Sequence, residues 1–136
     1  FKECLRGPAV LFHLDWMKQT ERLLKHLVSI DPDWGPGMVQ FSLAIYYLGM
    51  PERYGGDMVE SARSLDRAIT LAPDSLLMRW GRAKYFHRKQ RDREGFRQDL
   101  AWVLAQDPDR AGSPRRWNLY FQRDAQAMLA RIDAWF

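Results

Sequence analysis

The chain has 136 residues, 46% hydrophobic and 13% aromatic, and carries 21 basic against 17 acidic residues for a net charge of +4. That apolar content supplies a core and excludes disorder, and the length fits a single domain over residues 1–136 better than two small ones. A lone cysteine, Cys4, excludes an intrachain disulfide and a multi-cysteine metal site, no run approaches the roughly 18 apolar residues of a membrane span, and the basic excess is spread too thinly to mark an anionic partner.

Residues 1–8 carry little pattern, with a break at Gly7-Pro8, and residues 1–14 read as a tail or the remnant of an upstream helix. Phe1 in place of Met points to a piece of a longer chain, so the absence of a signal peptide says nothing about export. Pro8 suits the first position of a helix that places Val10, Leu14, Met17, Leu24 and Val28 on one face; a later start capped by Asp15 is the alternative. The turn-rich DPDWGPG follows, and Pro36 opens a second helix, Gly37 to Leu48. Its expected core stripe is Met38, Phe41, Ile45 and Leu48, with Val39, Tyr46 and Tyr47 on other faces.

Pro51, Gly55 and Gly56 break the chain next, and Asp57 with Glu60 three residues on makes a capping-box pattern. Leu65, Ala68, Ile69 and Ala72 then recur at helical spacing until Pro73 stops them. A fourth helix, capped by Asp74 or Ser75, runs to about Lys89 and should bury Leu77, Trp80 and Ala83. The charged tract HRKQRDRE reads as the connecting turn, with Asp92 capping a fifth helix that carries Phe96, Leu100, Val103 and Leu104. Ser113-Pro114 starts a sixth, striped by Trp117, Phe121, Ala125, Met128, Ile132 and Trp135. Six helices without an alternating strand pattern define an all-α protein.

Three of these helices leave in the same way. Leu23 to Asp33, Ser64 to Asp74 and Asp99 to Asp109 superpose without gaps, each closing on Pro-Asp. The prolines, Pro32, Pro73 and Pro108, lie 41 and 35 residues apart, against a tetratricopeptide period of about 34. The expected architecture is antiparallel helical hairpins stacked as a tetratricopeptide-like array or bundle.

No enzyme motif stands in the chain. His13, His26 and His87 sit on three different helices with no i, i+4 partner, which leaves no metal site and no catalytic histidine. Ser61 and Ser64 read as the polar face of their helix. Gly55-Gly56-Asp57 lacks the Lys-Ser or Lys-Thr of a phosphate loop, and Asp57 would repel an anion at that helix start. The basic run Arg79 to Arg97 is diluted by Asp92, Glu94 and Asp99 and reads as solvated helix ends rather than a nucleic-acid site. No cofactor is implied.

Aromatic content is the stronger signal. Six Trp, five Tyr and seven Phe exceed what the stripes need. Helical repeats line a concave face with their first helices, and aromatic residues there read as a groove for an apolar or amphipathic ligand. The candidate ligand-binding residues are Tyr46, Tyr47, Met78, Arg82, Tyr85 and Tyr120.

Gly35 to Gly37 ahead of Phe41, the turn Pro51 to Asp57, Ala62-Arg63, Val103 to Asp109, and a last helix with Asn118, Gln122 and Ala127 occur in an order that resembles the T-component family of TRAP-type transporter systems, from about Asp15 onward. The resemblance implies an exported, commonly lipid-anchored, periplasmic tetratricopeptide-like protein that works beside a periplasmic substrate-binding protein, with hydrophobic ligands including lipids in view. It offers no catalytic residues and no ligand-contact motif, so the groove residues rest on helical position alone. Cys4 follows Phe-Lys-Glu rather than the small and apolar residues expected before a lipidated cysteine, which leaves membrane anchoring to the full-length precursor. The reading is a non-enzymatic accessory factor of transport, with a ligand-free protein-interaction scaffold as the alternative and oligomerisation left open.

Overall fold

A computed structural model describes residues 14–109 and 111–136, and among these it is all-α, six helices and no strand. The chain falls into two compact units, one ending at Leu71 and the other beginning at Ala72.

The first unit holds α1 (Leu14–Ile30), α2 (Met38–Gly49) and α3 (Met58–Leu71), with a 3-10 turn at Glu52–Tyr54 between the last two. Leu14 is already helical, so Asp15 lies inside α1 rather than capping it; Val10 and the start at Pro8 lie outside the described residues. Met17 is the buried residue of α1, flanked by half-buried Leu14, Leu24 and Val28.

In α2 the expected stripe shifts. Val39, Phe41, Leu43, Ala44, Tyr46 and Leu48 are buried, whereas Met38 is exposed and Ile45 half-buried. The reason is that α2 packs against both α1 and α3. A helix covered on two sides buries more than one stripe, and a single-face reading must then misassign some positions.

Close approach of α2 and α3 explains a second departure. Ser61 and Ser64, expected on the polar face, are buried, and Ser61 Oγ donates to the Ala44 carbonyl at 2.9 Å. A small hydroxyl fits where the helices meet and is satisfied there. Gly37, at φ 76°, belongs to the same contact: a Cβ on it would stand 2.6 Å from the Ala68 carbonyl oxygen. The cap on α3 forms as the sequence indicates, Asp57 Oδ1 accepting from the amides of Val59 (2.8 Å) and Glu60 (3.0 Å). Glu60 turns to Arg63 instead of closing the box.

The second unit begins with α4, which runs Leu76–Gly81, continues as a π-helix over Arg82–His87 and finishes as Arg88–Gln90. Arg91 then takes a left-handed conformation (φ 59°), and Asp92 Oδ1 accepts from Gly95 N at 2.9 Å to cap α5 (Arg93–Ala105). After α6 (Arg115–Leu129) a 3-10 turn at Ile132–Ala134 takes the place of the helix's expected last turn, and Trp135 and Phe136 return to pack on Phe96. Leu76, Trp80, Phe96, Leu100, Phe121 and Met128 anchor this core. Leu77 is only half-buried, and Trp117 and Leu104 are exposed rather than internal.

All three Pro-Asp exits fall in turns. Two share an Asx turn: Asp31 Oδ1 accepts from Asp33 N at 3.1 Å, and Asp107 Oδ1 from Asp109 N at 2.9 Å. The middle exit has Ala72 in that position and closes through the backbone, Ser75 N donating to Ala72 O at 3.0 Å.

Candidate functional site

The second unit is organised around a buried carboxylate. Asp99, 2% exposed, lies on the same face of α5 as Phe96, Leu100 and Val103. A charge at that depth is tolerated only when paired and hydrogen-bonded. Arg82 supplies a two-point fork, Nε to Oδ2 at 2.7 Å and Nη2 to Oδ1 at 2.8 Å. Arg79 Nη1 adds a contact to Oδ1 at 3.3 Å, and His87 Nε2 stands 3.2 Å from Oδ2. Burial by itself would raise this carboxyl; the Arg82 hydrogen bonds, with His87 beside them, outweigh it and hold it at about 2.

The π-helical turns make this convergence geometrically accessible. Residues five apart on a regular α-helix point about 140° away from one another. The i to i+5 bonding of a π segment reduces that divergence, and Arg82 and His87 both reach Asp99. His87 Nδ1 also faces Asp92 Oδ2 at 2.7 Å. Gly95 leaves room for this arrangement, since a Cβ there would collide with Asp92 Oδ2 and the His87 ring.

Beside this knot lies an aromatic cluster. Trp80 is its centre, with Tyr85 edge-on at 5.9 Å, Tyr120 at 6.2 Å and Phe121 at 5.0 Å between ring centroids. Trp117 stacks on Phe121 at 6.4 Å and meets Tyr120 edge-on at 6.2 Å. The inner rings are packed, while Trp117 and Tyr120 remain 50% and 48% exposed. A polar rim borders them: Asp124 Oδ2 accepts from Trp80 Nε1 at 2.8 Å and from Lys84 Nζ at 2.7 Å, and that ammonium lies 4.5 Å over the Trp80 ring.

Of the six residues singled out from sequence, Tyr85 and Tyr120 therefore meet on Trp80. Met78, expected to line the groove, is fully buried in α4, and Arg82 is engaged by Asp99. Tyr46 and Tyr47 belong to the first unit. Tyr46 is fully buried rather than off the core face, donates its hydroxyl to Glu21 Oε2 at 3.0 Å and stands edge-on to Tyr47 at 5.6 Å. Burial, then that hydrogen bond, pushes its phenol up to about 12. Tyr47 is half-buried beneath the Lys25 ammonium.

Asp99 and Trp117 escaped the sequence reading for opposite reasons. Asp99 occupies a core position of its own stripe, and a charge at such a position, with Arg79 and Arg82 three residues apart on the preceding helix, is the signal that finds it. Trp117 fits an apolar stripe, yet its place near the start of α6 leaves it at the edge of the core.

Asn118 and Gln122 are pins rather than ligand groups. The Asn118 amide donates to the carbonyls of Ser113 (2.7 Å), Pro108 (3.0 Å) and Ala111 (3.3 Å), fixing the loop between α5 and α6. Gln122 Nε2 donates to Gln106 O (2.7 Å) and Val103 O (3.2 Å), closing carbonyls at the end of α5.

Among the described residues no group of His, Cys, Asp and Glu is arranged to hold a metal ion, and no helix is long and apolar enough to cross a membrane. An all-α protein with a rimmed aromatic face is the class these features define. The family model of the TRAP transporter T-component matches residues 11–136, and the chain belongs to that family, a transporter component rather than a family of enzymes. No curated protein matches the chain.

Proposed function

We propose that this protein is a periplasmic accessory factor of a TRAP transport system that holds an apolar or amphipathic ligand, lipid-like in character, against the aromatic face of α4 and α6. The supporting observation is the half-exposure of Trp117 and Tyr120 over a packed floor of Trp80, Tyr85 and Phe121. Rings held rigidly by their neighbours lose little conformational entropy when a ligand covers them. Covering the exposed halves of two such side chains, roughly 150–200 Å², contributes about 4–5 kcal/mol at about 25 cal/mol per Å². Lys84 and Asp124 at the rim suit the polar end of an amphipath.

In this reading Tyr85 and Tyr120 touch the ligand, Arg82 and Met78 hold α4 in shape behind them, and Tyr46 and Tyr47 serve the first unit. A tetratricopeptide-like stacking of the hairpins and docking to a periplasmic substrate-binding protein belong to the same proposal. Titration with a fluorescent fatty acid tests it. Trp117→Ala with Tyr120→Ala should weaken binding at least about a hundredfold, since about 2.7 kcal/mol of the estimated contact is enough for that; unchanged binding would refute it.

A second reading, a scaffold without a small ligand, is favoured by one observation. Trp16, Leu23, Leu27 and Ile30 form an outward apolar stripe on α1. Trp16→Ser with Leu23→Ser, leaving fatty-acid binding intact but abolishing capture of the substrate-binding protein, would separate the two roles.

A further inference from the structure

The first unit contains a cleft that the aromatic site does not use. It has a volume of about 410 Å³ and is lined by Lys18, Glu21 and Arg22 of α1 and by Arg53, Tyr54 and Gly55 of the 3-10 turn. Three of the six lining residues are cations, all on exposed positions. Among the described residues no carboxylate pairs with any of the three. Arg22 Nε donates to the Lys18 carbonyl at 3.4 Å, which leaves the end of its guanidinium available, and the Arg53 guanidinium lies 4.8 Å over the Tyr54 ring.

The one carboxylate in the cleft is already occupied. Glu21 Oε1 meets Lys25 Nζ at 2.6 Å and its Oε2 accepts from the Tyr46 hydroxyl at 3.0 Å. Its charge is compensated by Lys25, so the three cations give the cleft a net positive character. Gly55, at φ 100°, contributes a wall without a side chain; a Cβ there would stand 3.8 Å from the Tyr46 hydroxyl.

The turn Gly55-Gly56-Asp57 has no free donor to offer an anion. Asp57 is spent on the amides of Val59 and Glu60. The amides of Gly55, Gly56 and Asp57 are likewise spent, on the carbonyls of Glu52, Pro51 and Tyr47. The available donors are side chains that come from α1 and Arg53. Two guanidiniums and an ammonium around a cleft of this size match a compact ligand with several anionic oxygens, because guanidinium pairs with carboxylate or phosphate in two-point contacts.

We propose that this cleft binds a small multiply charged oxyanion, a phosphate monoester or a polycarboxylate, through Lys18, Arg22 and Arg53. The site is independent of the aromatic face. The anion can be free in solution or the headgroup of a lipid, and the test separates these sources.

The full chain is titrated calorimetrically with citrate and with inorganic phosphate at low ionic strength. It is also floated with phosphatidylcholine vesicles with and without phosphatidic acid. Arg22→Gln and Arg53→Gln should each weaken binding about tenfold, the loss of one charge-assisted contact. Arg115→Gln in the second unit should change nothing. Binding of a free anion with this dependence establishes a soluble ligand; binding only to phosphatidic acid vesicles with the same dependence establishes a headgroup. No binding to any probe, or binding indifferent to Arg22→Gln and Arg53→Gln, overturns the proposal.

Discussion

Arg82 closes on Asp99 with two hydrogen bonds of 2.7 and 2.8 Å, and the carboxylate it grips is almost wholly buried. Sequence position offered Arg82 as a ligand contact; its partner gives it a structural duty in addition. Removing one member of a buried pair leaves the other uncompensated, at a cost of about 3–5 kcal/mol. Arg82→Ala should lower stability by that order in urea unfolding. Arg82→Lys, which keeps the charge but loses the fork, should fall between. A change near zero for Arg82→Ala would show that Arg79 and His87 hold Asp99 by themselves.

The same pair sets an acid limit. Asp99 is held at about 2 in the folded chain, against about 3.9 for an ordinary aspartate. The unfolded chain therefore takes up the proton first as pH falls. The stability this group contributes, on the order of 2 kcal/mol, is complete above about pH 4 and is lost as pH drops through about 2. Asp99→Asn should flatten that part of the stability curve. Glu94, exposed and lowered to about 2 by its hydrogen bonds from Arg97 and Gln98, acts in the same direction. Added salt should weaken the Glu94 effect and spare that of Asp99.

Gly37 tests the close packing of α2 on α3. Its left-handed backbone and the 2.6 Å approach of the Ala68 carbonyl leave no room for a methyl group. Gly37→Ala should cost at least about 2 kcal/mol by thermal or urea unfolding. A loss of only a few tenths would mean that the two helices can separate at that point.

Helix punctuation was legible in the sequence because it is local. Asp57 and Asp92 cap the helices they precede, and the three prolines fall where helices end. Burial was legible where a helix buries a single stripe, as with Leu65 and Ala68 on α3 or Phe96, Leu100 and Val103 on α5. It failed on α2, where two neighbours cover different stripes, so Tyr46 is internal and Met38 exposed. The π-helix over Arg82–His87 left no sequence trace, because the convergence on Asp99 that it serves is a tertiary contact. Of the site, Tyr85 and Tyr120 were accessible from excess aromatic content, whereas Trp80 as their meeting point required the tertiary structure.

Tyr46 offers a spectroscopic check on the first unit. With its phenol pushed up to about 12, it should stay protonated well above pH 10 in an absorbance titration of tyrosinate. The stability linked to this neutral phenol is complete below about pH 10 and is lost as pH rises through about 12. Tyr46→Phe should remove the late-titrating component. If the late component persists in that variant, the Tyr46 to Glu21 hydrogen bond does not control it.

The most direct test of an aromatic ligand face is organic-solvent extraction of the protein purified from its own host, followed by mass spectrometry. The expected result is an apolar or amphipathic compound in near-stoichiometric amount from the unaltered chain, and its loss from a folded Trp117→Ala, Tyr120→Ala variant. An empty extract, or the same compound retained in equal amount by the variant, would contradict the account.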